Sequence, residues 1–169
     1  LVAYDAIRAA MQTPEIVAIA LIVGGIIILA LERIVQNVRF HSVEEIPFGT
    51  ALSIGLIQCT AMLPGVSRSG ATIMGGLMMG VERKTAAEFS FFLAVPTMMA
   101  ATVYALWKDR ALLSADDLDM IAIGFTAAFV VAVIVVKAFV ALVGRYGFAP
   151  FAYYRIIVGS AALLWLAMR

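Results

Sequence analysis

Apolar residues in this chain come in long runs separated by short polar breaks, with neither the period-two alternation of a half-buried strand nor the striped helix of a soluble domain. The first run, residues 16–31, follows Pro14-Glu15, a helix-start pattern, and closes on Glu32-Arg33. With its flanks it is long enough to cross a bilayer, which takes roughly 20 residues. A polar stretch from Glu32 to Pro47 follows and reads as an interfacial loop. Further on, residues 86–107 form a second spanning helix in which Pro96 is a kink tolerated inside a bundle. An acidic loop, residues 109–119, leads to a third at residues 118–143, and Pro150 starts a fourth that runs to Met168.

The apolar region at residues 48–80 breaks this pattern. Pro64-Gly65 interrupts it near the middle, and Ser67, Arg68, Ser69 and Gly70 follow. Residues 48–63 and 71–80 are each shorter than a crossing needs, so they predict two short helices forming a re-entrant hairpin with its tip at PGVSRSG. Irregular backbone at membrane depth survives only inside protein or beside a watery cavity. Short paired segments broken by Gly or Pro are therefore the sequence's pointer to a buried binding site.

Composition narrows the class. Of 169 residues, 64% are hydrophobic and 14% charged, and the mean hydropathy is +1.04, well away from the quarter-charged soluble norm. The prediction is an all-α integral membrane protein, a polytopic helical bundle carrying a re-entrant helical hairpin, with residues 1–169 as one membrane domain. Twelve Lys and Arg stand against eleven Asp and Glu with no basic run, which argues against a nucleic acid as partner. The single cysteine, Cys59, excludes an intrachain disulfide and reads as a packing residue. Small residues recur at Gly24-Gly25, Gly75-Gly76, Ala127-Ala128 and residues 159–162, where they allow close helix contact in lipid. The start lacks an initiator Met and a basic leader, so the chain is expected to begin in mid-protein, with Arg169 as its natural end. Arg33, Arg39, Arg83, Lys84 and Arg145 on the hairpin's side, against Arg8, Lys108, Arg110 and Arg169 opposite, make the first side cytoplasmic by the positive-inside rule.

An arginine inside the apolar zone is costly unless paired or facing a cavity, which makes Arg68 the leading functional candidate. Gly65 and Gly70 let the backbone turn tightly and present N–H groups, Ser67, Ser69 and Thr72 add hydroxyls, and Ala71 is expected to open a helix whose positive end points into the site. All of these groups favour an anion, and phosphate suits a guanidinium beside a helix N-terminus. The competing reading is an arginine tied to carbonyls or to a carboxylate such as Glu88. Gln58, six residues before Pro64, fits either the cavity or a bond to a neighbouring helix. His41 reads as solvated, Lys137 and Arg155 as snorkelling anchors near helix ends, and Met74 to Met79 with Met98-Met99 as adaptable packing that also suits an acyl-chain groove.

PGVSRSGATIMGGLMMGVERKTAAEFSFFLAVPTMMAA, continued by FAPFAYYRIIVG, resembles the C-terminal signature of the bacterial undecaprenyl-diphosphate phosphatases, the bacitracin-resistance family. The resemblance implies an inner-membrane hydrolase that removes the terminal phosphate of a C55 polyprenyl diphosphate and so recycles the lipid carrier of cell-wall synthesis. It also implies two inverted repeats whose re-entrant hairpins meet at a pocket open to the periplasmic face, this chain being the second half. Ser67 and Arg68 then match active-site positions and Thr72 a position beside the phosphate, with Gly65, Ser69, Gly70 and Gln58 as further substrate-binding candidates. A divalent cation, Mg2+ or Ca2+, is implied for the family, yet the paired glutamates and the Ser/His-bearing hairpin associated with it have no counterpart here, so no metal ligand is expected in this portion. The expected partners are the polyprenyl diphosphate and the bilayer, with a homodimer as an open assembly. The rival reading is a transporter or flippase for an anionic lipid or phosphate-bearing substrate, because discontinuous helices around an anion site also build transporters.

Overall fold

The structure is a computed structural model that describes residues 13–34, 37–108, 110 and 118–168. Arg8 and Arg169, named above, and residues 109 and 111–117 of the acidic loop lie outside the described residues. Among the described residues six α-helices follow one another: α1 Pro14–Ile34, α2 Phe48–Gln58, α3 Arg68–Met78, α4 Arg83–Lys108, α5 Leu118–Tyr146 and α6 Ala149–Ala167. Short 3-10 turns occupy Val43–Glu45 and Cys59–Met62. Among the described residues the only β pairing is an isolated parallel bridge between Phe40 and Val81. Helices α1, α4, α5 and α6 are long and apolar enough to cross a membrane, in agreement with the pattern of runs.

Antiparallel α1 and α6 make the closest helix contact. A Cβ on Gly25 would stand 2.8 Å from the Ala152 carbonyl oxygen, and one on Gly159 would stand 2.8 Å from that of Ala18. Ala18 and Ala152 are fully buried between them. Backbones meet where side chains are smallest, as expected for helices that gain little by hiding apolar surface from lipid. Ala127 and Ala128 do not behave this way. Both are exposed, because α5 packs only through its C-terminal half, where Phe139 stands edge-on to Phe91 of α4 at 5.8 Å and tilted against Phe151 of α6 at 5.1 Å.

Helices α2 and α3 fold back on each other, with Ile57 of α2 seated against Gly75, while Ala86 of α4 sits against Gly76 on α3. Between them the chain leaves helical geometry at Pro64-Gly65. Gly65 has φ +80° and lies so near α1 that a Cβ would be 2.7 Å from that of Ala20 and 2.9 Å from the Val17 carbonyl; only glycine meets both demands. Helix α3 starts at Arg68, three residues before the expected Ala71, because Ser67 caps it: its Oγ accepts the Gly70 N–H at 3.2 Å. Its other end closes with Gly80 N–H donating to the Leu77 carbonyl and Val81 N–H to that of Gly76, at 3.0 and 2.9 Å. Cys59 is exposed rather than packed. It lies five residues past buried Ile54, about 140° around the helix from the face that meets α3.

At the hairpin's open end, Glu32 joins three elements. Its Oε1 lies 3.3 Å from Arg83 Nε and accepts the Phe148 N–H at 2.8 Å. Gly147 passes so close that a Cβ there would collide with the same carboxylate. The hairpin therefore leaves and returns at the Glu32 end of α1, while its tip touches Val17 and Ala20. At 1.5 Å of rise per residue, that is about 20 Å along α1 and within two turns of its far end.

Candidate functional site

The tip of the hairpin faces a cavity of about 170 Å³ lined by Ile28 of α1, Ser67, Ser69, Gly70, Ile73, Met74 and Leu77 of the hairpin, Phe139 of α5, and Phe148, Phe151, Tyr154 and Arg155 around α6. Its walls are aliphatic and aromatic, and its polar groups gather at the tip. A wider cleft of about 640 Å³ opens at the Glu32 end among Glu32, Arg33, Glu82, Arg83 and Lys84. That cleft contains none of the hairpin's Gly, Ser or Arg residues and is built around the Glu32–Arg83 ion pair.

The tip is a donor-rich surface. Ser67 and Ser69 hydroxyls are 3.1 Å apart. With the Ser67 Oγ occupied by the Gly70 N–H and its carbonyl by the Ala71 N–H, the first-turn amides of Arg68 and Ser69 have no protein acceptor among the described residues. Free amides at a helix start and the positive end of its dipole favour an anion.

The sequence candidates separate into two groups. Ser67, Ser69 and Gly70 line the cavity, whereas Arg68, Gln58, Gly65 and Thr72 do not. Arg68 is half-buried and turns toward α4: its Nε donates to Gln58 Oε1 at 3.0 Å and its Nη2 to the Leu93 carbonyl at 3.1 Å and the Thr97 hydroxyl. Pro96 lies inside α4 and, having no N–H, leaves the Phe92 carbonyl four residues back without its helical donor; Arg68 bonds the next carbonyl along, that of Leu93. Glu88, the alternative partner for Arg68, instead stands 3.8 Å from Lys84 on its own helix. Thr72 is buried; its hydroxyl bonds the Arg68 and Ser69 carbonyls and lies 2.6 Å from Ser90 Oγ, joining α3 to α4 behind the tip. Gly65 offers its carbonyl to Arg155.

Arg155 is the residue that the sequence undervalued. Read as a snorkelling anchor, it is instead half-buried and reaches inward: Nη2 donates to the Gly65 carbonyl at 3.1 Å and the Ala20 carbonyl at 3.3 Å, and Nε to that of Leu21 at 3.4 Å. One sequence signal could have revealed it, its place a turn and a half inside an apolar helix; the room for its guanidinium comes from Gly24, where a Cβ would stand 2.5 Å from Nη2. Lys137 borders a surface groove with His41, Glu44 and Glu88, and His41 is exposed, 3.7 Å from Glu82.

The cavity does not fit a divalent cation. Its polar lining is two hydroxyls, a phenol, backbone amides and a guanidinium, whereas Mg2+ and Ca2+ take carboxylate and carbonyl oxygens. Among the described residues no three His, Cys, Asp or Glu gather into a ligand set.

Four spanning-length helices around a short broken pair, with the donor-rich break beside an apolar chamber, define a multi-pass membrane protein. Residues 1–161 match the protein-family model described as Bacitracin resistance protein BacA, and the chain belongs to that family. It is 68% identical over 168 residues to the undecaprenyl-diphosphatase of Sphingopyxis alaskensis, a match covering 99% of this chain and 63% of that protein. It is 58% identical over 168 residues to the undecaprenyl-diphosphatase of Rhizorhabdus wittichii, with the same coverage, and 51% identical over 166 residues to undecaprenyl-diphosphatase 2 of Paramagnetospirillum magneticum, covering 98% of this chain and 64% of the relative. The chain thus spans less than two thirds of the length of these relatives.

Proposed function

We propose that the intact protein hydrolyses undecaprenyl diphosphate to undecaprenyl phosphate and inorganic phosphate, water adding to the terminal phosphorus as the bridging P–O bond breaks. The observation that carries this reading is the amphiphilic cavity: a diphosphate headgroup suits its Ser67–Ser69 end, and the first isoprene units suit the Ile73, Met74, Phe139 and Phe151 walls. The names of the relatives support the same substrate.

In this reading the Ser67 and Ser69 hydroxyls and the first-turn amides of α3 hold phosphate oxygens, and charge developing on them is met by donors already in position, the main source of rate in phosphoryl transfer. Arg68 does not line this cavity and its Nε and Nη2 tie the tip to Gln58, Leu93 and Thr97; its remaining nitrogen, Nη1, is the group proposed to meet the reacting phosphate at the edge of the tip, while Thr72 fixes the start of α3 from behind. Gly65 and Gly70 keep the tip narrow enough for the headgroup to approach backbone. A divalent cation, if the intact protein uses Mg2+ or Ca2+, is held by groups other than those of this cavity; chelation and re-addition test for it.

The hairpin is proposed as re-entrant from the cytoplasmic side of the inner membrane, because Arg33, Arg39, Arg83, Lys84 and Arg145 cluster at its open end. Its tip, near the far end of α1, then serves a site open to the periplasm. A homodimer is the proposed assembly, to be tested by the mass of the detergent-solubilised protein: twice the chain mass supports it and a single chain mass overturns it. The deciding experiment is phosphate release from undecaprenyl diphosphate by the intact protein in detergent, lost in Arg68→Ala. Substrate movement across sealed vesicles without phosphate release would favour the transporter reading instead.

A further inference from the structure

From its position at the cavity, we propose that Arg155 is a headgroup-binding residue, its Nη1 donating to the phosphate of the substrate while Nε and Nη2 hold the hairpin tip. The inference rests on the phosphate-site reading above, but not on hydrolysis.

The guanidinium has five N–H bonds in a rigid plane. Those on Nε and Nη2 are directed to the carbonyls of Leu21, Ala20 and Gly65, which fixes the plane and therefore the direction of the remaining nitrogen. Nη1 has no protein acceptor among the described residues. It lies 3.9 Å from where a Cβ on Gly70 would be, and the same point is 3.5 Å from Ser67 Oγ. Arg155 also lines the cavity together with Ser67, Ser69 and Gly70. A guanidinium nitrogen, two hydroxyls and the start of a helix thus converge on one volume. No carboxylate lines that volume to neutralise the charge, and an uncompensated arginine within an apolar helix calls for an anionic partner. Because the same side chain grips the Gly65 carbonyl, headgroup binding and tip position are coupled through one rigid group.

The test uses the intact protein in detergent, with inorganic pyrophosphate as the binding probe and undecaprenyl diphosphate as the substrate. Arg155→Lys keeps a cation able to reach a tip carbonyl but lacks the second nitrogen. It is expected to remain folded, to weaken pyrophosphate binding about 10-fold and to raise KM by a similar factor with a smaller change in kcat. Gly24→Ala provides a second variant that leaves Arg155 in place, because its methyl group would crowd Nη2 and shift the guanidinium; the same direction of change is expected. Pyrophosphate affinity and KM equal to wild type in both variants, or no pyrophosphate binding by the wild type, would overturn the assignment. Pyrophosphate binding that depends on Arg155 in a protein that releases no phosphate would support the assignment and overturn the hydrolase reading alone.

Discussion

The two flanks of the hairpin are each secured by one arginine, and the two are used differently. On the α6 flank, Arg155 comes from a distant helix, grips the tip carbonyl of Gly65 and borders the cavity. On the α4 flank, Arg68 belongs to the hairpin itself and directs its Nε and Nη2 outward to Gln58, Leu93 and Thr97, away from the cavity lining. In both cases two guanidinium nitrogens bond the protein, so what separates the flanks is which volume the rest of the group can reach. An arginine in a motif need not be the one that faces the chamber, and a chamber in a membrane bundle can take its cation from a helix far away in sequence.

The largest effect expected is on turnover. Arg68→Ala should lower phosphate release by about 100-fold or more, the scale of losing one preorganised charge-stabilising group. Arg155→Lys should act mainly through KM. Equal losses of kcat from both variants would erase the distinction between the flanks. Next in size is the tip itself: Gly65→Ala forces a side chain into a positive-φ residue that already touches α1, and should destabilise the protein by about 1–3 kcal/mol in detergent unfolding. An unchanged unfolding midpoint would mean that the tip is not held against Ala20 and Val17 as described.

Smaller again is Thr72→Val. Leaving Ser90 without its partner should cost about 1–2 kcal/mol, with Thr72→Ser restoring most of the loss. A large KM effect with no change in stability would instead bring Thr72 into direct contact with substrate. The smallest effect lies outside the membrane-spanning helices. The His41 backbone N–H, donating to Glu45 Oε2 at 2.7 Å, is the chief cause holding the Glu45 carboxyl below its ordinary pKa. A depressed folded-state value means that this contact favours the folded loop above the ordinary carboxylate range and is lost as pH falls through the depressed value. A lower protection factor for the His41 amide, its exchange taken relative to the intrinsic rate at each pH, is expected under acid conditions, and Glu45→Gln should remove that pH dependence.

Much of this architecture was legible in the sequence because its signals are local. Runs of apolar residues set the four long helices, and Pro64-Gly65 set the break, since proline lacks a donor and glycine tolerates positive φ. The Gly/Ser-rich tip was legible for the same reason. What sequence spacing could not supply was the direction of long side chains. Arg68 and Arg155 are flexible enough to reach several partners, and which one each takes depends on the acceptors that α4 presents at Leu93 and Thr97 and on the space above Gly24. Those are properties of packed neighbours, not of the residues beside the arginines in the chain. Ala127 and Ala128 make the converse point: small residues permit close packing, but another helix must arrive to use them.

The account stands most directly on one measurement: inorganic phosphate released from undecaprenyl diphosphate by the purified intact protein in detergent, compared with its Arg68→Ala variant. Stoichiometric release of one phosphate and one undecaprenyl phosphate per substrate, nearly abolished in a folded variant, is the predicted result. No release by the wild type, or equal release by both proteins, would contradict it.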